Sequence, residues 1–140
     1  MKWNGFSAYY FDSFPVDKLN AFDIPEKEGV KTGGMSAENF KELVASIEEK
    51  GLINPIIVER ANHMTVAIGN NRVWALRQLG KPYAKIVLFA KVGSVPEGGE
   101  HIPNKHLEAR MAQIHPGDES WFHSQAARWI RKRVRQEPLE

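Results

Sequence analysis

Cysteine is absent from all 140 residues of the chain. Disulfide frameworks, thiolate zinc sites and any mechanism built on a nucleophilic thiol are therefore excluded. No apolar run approaches the roughly 20 residues that a membrane helix needs, and Met1 to Tyr10 carries no signal-peptide hydrophobic region. A soluble, cytoplasmic protein with no membrane partner is the expectation. Net charge is also small, at +2 from 19 Lys and Arg against 17 Asp and Glu. The balance is uneven along the chain, however. Arg128, Arg131, Lys132, Arg133 and Arg135 follow one another without an acid, which leaves 14 cations against 15 acids in residues 1 to 127. Basicity is thus a C-terminal property.

What remains is ordinary for a folded chain. Hydrophobic residues make up 42% and charged residues 26%, which predicts a packed globule of about one domain. There is no internal repeat and no low-complexity tract. Trp3, Phe6, Tyr9, Tyr10, Phe11 and Phe14 make the opening aromatic-rich, and Phe14 to Leu19 reads as a short edge strand. Pro25, Gly29, Gly33 and Gly34 mark residues 20 to 34 as loop. Ser36 can cap a helix over 37 to 50, whose Phe40, Leu43, Val44 and Ile47 fall at helical spacing and whose end meets Gly51. Asn54 to Glu59 and Met64 to Ile68 read as a hairpin. Gly69-Asn70-Asn71 leads into a second helix marked by Val73, Leu76 and Leu79, and a third strand runs from Tyr83 to Phe89. Residues 91 to 103 read as a Gly- and Pro-rich loop, followed by a short helix from Asn104 and a last one from Asp118 to about Arg135.

The turn at Gly69 carries the most informative local chemistry. A strand that ends in glycine and passes directly into a helix gathers free backbone N–H groups at one point, where anions bind. Arg72 falls in the first helical turn, where the helix dipole disfavours a cation. Its position is explained if the guanidinium reaches a phosphate or carboxylate. The alternative is that Asn70 only caps the helix and Arg72 pairs with an internal acid such as Glu59.

The ordered set Leu43-Val44-Ala45-Ser46-Ile47, Gly51-Leu52, Pro55-Ile56-Ile57-Val58, Ile68-Gly69-Asn70-Asn71-Arg72, Ala75-Leu76 and Leu79-Gly80 resembles the ParB N-terminal and sulfiredoxin-like family over roughly residues 13 to 90. The resemblance implies an α+β domain, a small mixed sheet with packed helices, whose Gly-x-x-Arg turn holds nucleotide phosphates. Members include DNA-binding partition proteins that hydrolyse CTP, sulfiredoxins, free-serine kinases, and phage or plasmid proteins labelled ParB-like nucleases. By position, Gly69 and Arg72 match the phosphate-binding turn. Ser46 matches a helix position near the nucleotide, with a solvated helix residue as the alternative. Sulfiredoxins carry Cys at the position of Asn70 and His at that of Asn71, so sulfinic-acid repair is excluded here. Partition proteins carry an acid and an Arg at those positions. Two amides can still donate to phosphate but offer no carboxylate to a metal or a water, so binding survives the change better than catalysis.

The resulting map has an aromatic arm at 1 to 12, a core at 13 to 92, a Gly/Pro-rich loop at 93 to 103, and a helical C-terminal extension at 104 to 140. On a helix, Arg128, Arg131, Lys132 and Arg135 share one face beside Trp121, opposite Phe122, Trp129, Ile130 and Val134. Such a stripe can bind nucleic acid, although a solvated face is the alternative. The five histidines show no paired helical spacing. Glu97 and Glu100 with His101 or His106 form the one constellation that could serve a metal-dependent nuclease. The leading expectation is a phosphate-binding domain at Gly69, Asn70, Asn71, Arg72 and Ser46, with a nucleotide, with or without Mg²⁺, or DNA as partner. A metal-dependent nuclease, or a nucleotide-dependent phosphotransferase or nucleotide hydrolase, on the same turn, and a protein-interaction module without ligand chemistry, stay open, as does assembly into a homo-oligomer.

Overall fold

The computed structural model describes residues 6–22, 32–52, 54–59, 63–91 and 96–114, together with 128 and 132. The elements are β1 (Phe6–Pro15), α1 (Ala37–Lys50), β2 (Ile56–Glu59), β3 (Thr65–Ile68), α2 (Asn70–Gln78), β4 (Tyr83–Lys91), β5 (Glu100–Ile102) and α3 (Leu107–Ile114). Short 3₁₀ turns precede α3 at Asn104–His106 and follow β1 at Val16–Lys18. The strands form one mixed sheet in the order β3-β2-β4-β1-β5. Only β2 and β4 run parallel, and every other neighbouring pair is antiparallel.

Local signals account for the α1 boundaries. Ser36 Oγ accepts from the Asn39 N–H at 3.3 Å, and Gly51 at φ 76° donates to the Ile47 carbonyl at 2.8 Å. Packing fixes the rest. Strand residues alternate between two buried clusters, because successive side chains leave opposite faces of the sheet. Tyr9, Phe11, Ile56, Val58, Val66, Ile86 and Leu88 meet Phe40 and Ile47 of α1 and Val73 and Leu76 of α2 on one face. Ala8, Tyr10, Ile57, Val87 and Phe89 meet Leu107 and Met111 of α3 on the other.

Two expectations need correction. The short edge strand at Phe14 to Leu19 does not form; the aromatic segment 6–12 is instead part of the ten-residue β1, inserted between β4 and β5. A strand covered on both faces shows no polar alternation, and the bulge between Phe11 and Phe14, where Asp12 and Ser13 are exposed, further breaks the pattern. The boundary drawn between an arm and a core at residue 13 therefore falls inside a strand. The loop read over 91 to 103 also supplies β5, three residues that pair with Ala8, Tyr9 and Tyr10. Among the described residues no helix is long and apolar enough to cross a membrane.

Candidate anion-binding site

Gly69 lies between β3 and α2, as the N-cap of α2. Its φ of 110° and ψ of 22° lie in the left-handed region, which a side chain rarely adopts. A Cβ there would also come within 3.3 Å of Ile56 Cγ1. Gly69 supplies no capping side chain, and the first intrahelical bond is Val73 N–H to the Gly69 carbonyl at 3.0 Å. The N–H groups of Asn70, Asn71 and Arg72 therefore precede the helical ladder. The first turn of α2 contains no acid.

Beside this turn lies a cavity of about 310 Å³ lined by Gly33, Met35, Leu43, Ala67, Ile68 and Gly69 to Arg72. None of these lining residues is a carboxylate. Arg72 is mostly buried in the wall, and its Nη1 has no hydrogen-bond partner among the described residues. Burial pushes its pKa below the usual guanidinium value, yet an arginine keeps its charge. The alternative pairing with Glu59 is not made. Glu59 lies at the far end of the hairpin, opposite Thr65, roughly 10 Å along the strand from Ile56. A buried cation at a helix N-terminus suits an anion with several acceptor oxygens.

The two asparagines are drawn into a different task. Asn70 Oδ1 accepts from the Phe22 N–H at 2.6 Å. With its amide nitrogen turned toward the loop, Asn71 donates to the carbonyls of Thr32 at 3.2 Å and Gly33 at 2.8 Å. Both side chains hold residues that precede α1, Phe22 and Thr32 to Gly33, against the start of α2, while their backbone N–H groups remain part of the turn. Ser46 is half-buried on α1 and is not among the residues lining the cavity.

Asn54, which does not line the cavity, is a buried polar group that sequence reasoning passed over. It lies just before β2, at the same end of the hairpin as Gly69, and its Oδ1 is buried without a partner among the described residues. Before a proline and a strand, an asparagine reads only as punctuation, so no local signal marked it.

The Glu97, Glu100, His101 and His106 constellation is not assembled. Glu100 makes a two-pronged ion pair with Arg110, Oε2 to Nε at 2.7 Å and Oε1 to Nη2 at 2.8 Å, and this pairing holds its carboxyl below the usual range. The His101 ring packs on Tyr9 at 5.2 Å. No group of three or more potential ligands that could hold a metal ion occurs among the described residues. β5 is also the sheet edge opposite β3, four strand spacings or roughly 19 Å from the Gly69 turn. Of the basic stripe, Arg128 and Lys132 are exposed, helical and one turn apart. Trp121, Arg131 and Arg135 lie outside the described residues.

Comparison with known proteins places the sequence in a family. No curated protein matches the chain. Among solved structures, a Pnob8-like ParB-N domain is similar at 21% identity and a TM-score of 0.44, over 61% of this chain and 31% of that one. The model of the ParB N-terminal domain matches residues 14–92, more than half of the sequence, and the chain belongs to the ParB N-terminal domain family.

Proposed function

We propose that this domain binds a phosphate-bearing ligand, a nucleotide or a DNA backbone, on the Gly69 to Arg72 turn. The partly buried Arg72 carries this reading, with a buried Nη1 that finds no partner and no acid in the cavity wall among the described residues. A buried charge left uncompensated is strongly unfavourable, so an anion is the chemistry the cavity lacks. The N–H groups of Asn70, Asn71 and Arg72 would bind the phosphate oxygens and Arg72 would neutralise them. The reading sets the domain in a cytoplasmic, DNA-associated protein of phage or plasmid type, which can act as a homo-oligomer. The exposed pair Arg128 and Lys132 supports sequence-independent contact with DNA.

Calorimetric titration with inorganic pyrophosphate, with the four nucleoside triphosphates and with duplex DNA, each with and without Mg²⁺, tests it. Arg72→Ala is expected to weaken pyrophosphate binding by at least about tenfold, and Arg72→Lys to restore part of it, since lysine supplies charge without the planar fork. Unchanged affinity in Arg72→Ala would refute the site. For DNA, the double substitution Arg128→Ala and Lys132→Ala should flatten the salt dependence by roughly two phosphate contacts.

A further inference from the structure

A second cavity, of about 510 Å³, opens at the other end of α2, with residues 15–18 on one side and Arg77 and residues 80–83 on the other. The nine residues of that helix separate it from the Gly69 turn by about 13 Å of axis. The chain's own hydrogen bonds fasten its two sides together. Val16 N–H donates to the Pro82 carbonyl at 2.9 Å, and Arg77 Nη2 donates to the carbonyls of Val16 at 3.3 Å and Leu19 at 2.6 Å. Arg77 is held in turn over the Trp74 ring at 4.7 Å. Gly80, at φ 68°, donates to the Arg77 carbonyl at 3.1 Å, and Lys81 N–H donates to the Leu76 carbonyl at 2.9 Å, which closes the end of the helix. The groove is preformed, so a ligand meets little ordering cost there.

These bonds also take most of the backbone out of recognition. The N–H groups of Val16, Gly80 and Lys81 are already used, and Pro15 and Pro82 have none. An added strand finds no continuous row of donors, so side chains must do the recognising. Tyr83 is 59% exposed, one of two large hydrophobic residues so exposed among the described residues, and Pro82 beside it is exposed as well. Lys18 and Lys81 are exposed on opposite sides of the groove, and neither is ion-paired among the described residues. With Arg77 they set three cations against a single acid, Asp17, in a chain whose first 127 residues hold 14 cations against 15 acids. The groove thus reverses the charge balance of the body around it.

An apolar wall at Pro15, Pro82 and Tyr83 with a lysine on each side is complementary to an apolar side chain flanked by carboxylates. A DNA duplex would satisfy the lysines but leave the apolar wall unfilled, and Asp17 would repel its phosphates. We propose that this groove docks an acidic segment of a partner protein, with an apolar side chain seated against Tyr83 and Pro82 and carboxylates on Lys18 and Lys81. The surface is independent of the anion site at the start of α2.

The test follows the backbone amides of the ¹⁵N-labelled chain by NMR during titration with three synthetic peptides. The first carries a leucine flanked on each side by Asp and Glu, the second has serine in place of that leucine, and the third has the acids replaced by their amides. The first should shift the amides of Lys18, Lys81 and Tyr83 with a Kd at or below about 1 mM. The other two should bind at least about fivefold more weakly. Tyr83→Ser should weaken the first peptide by at least about fivefold, whereas Tyr83→Phe should retain it. Lys18→Glu combined with Lys81→Glu should weaken it by at least about tenfold and abolish its salt dependence. These substitutions change exposed side chains, and matching spectra away from the groove establish that the variants are folded. No shift at the three amides up to about 5 mM peptide, or equal binding of all three peptides, overturns the proposal. A short DNA duplex that moves the same amides at lower concentration than the first peptide, and does so equally in Tyr83→Ser, assigns the groove to nucleic acid and overturns it too.

Discussion

Gly33 and Gly51 have nearly the same backbone conformation, φ 73° and φ 76°, but different surroundings. A Cβ on Gly51 would meet nothing within 4 Å, whereas one on Gly33 would lie 2.6 Å from the Asn71 side-chain amide and 3.0 Å from its backbone nitrogen. Replacing either with alanine incurs left-handed strain of about 1 kcal/mol. Only Gly33→Ala also pushes the 32–35 segment off the α2 turn and strains the Asn71 contacts. Chemical denaturation should therefore find Gly33→Ala less stable than Gly51→Ala by about 1 to 2 kcal/mol, together with weaker pyrophosphate binding. Equal stabilities would mean that the contact between loop and turn yields freely. The two asparagines, read from sequence as neutral ligand donors, show why residue type alone leaves a role open. An amide serves a phosphate and a backbone carbonyl equally well, and the neighbour that decides between them comes from 38 or more positions away in Thr32 and Gly33, and 48 away in Phe22.

At the scale of elements, β5 and α3 are joined by Glu100 and Arg110, and Arg110 also lies 5.7 Å over the ring of Tyr10 in β1. Tyr10 in turn donates to Asp12 Oδ1 at 3.1 Å, and burial followed by that hydrogen bond raises its pKa to about 12. The Glu100 and Arg110 side chains are 48% and 31% exposed, so the pair contributes only about 0.5 kcal/mol. Its pH dependence has a definite sign. The folded pKa of Glu100 lies below the ordinary value, so the contribution is present above the unfolded carboxyl pKa of about 4.3. It is lost as the pH falls through the depressed folded value. Glu100→Gln should be slightly less stable than wild type near neutral pH, and the gap should close in denaturant melts below about pH 4. A gap that persists undiminished in acid would rule out the ion pair as its cause.

For the molecule as a whole, the sheet has two buried faces, and the second is covered by α3 through Leu107 and Met111, both fully buried. Residue 92, where the family match ends, therefore does not end the core. Met111→Ala should cost about 2 to 4 kcal/mol, close to the loss from a substitution such as Phe40→Ala on the α1 face. Both should appear in a single cooperative thermal transition. A Met111→Ala cost under about 1 kcal/mol would mean that α3 only decorates the domain.

The sequence by itself determined the features that depend on near neighbours. Ser36 and Gly51 bound α1, the 3.6-residue spacing of Phe40, Leu43 and Ile47 sets its buried face, and Gly69 turns a strand into a helix with Arg72 in its first turn. Caps, periodicity and left-handed glycines act over one or two turns of chain and so can be read locally. Tertiary structure decided what distant segments do to one another. It placed β1 inside the sheet, set β2 parallel to β4, gave Glu100 to Arg110, brought Phe22 to Asn70, and left Arg72 and Asn54 with buried atoms that find no partner among the described residues. A strand buried on both faces loses the alternation that would announce it. The partner of a buried polar group likewise depends on which backbone is packed beside it, and residue order does not encode that until the chain is folded.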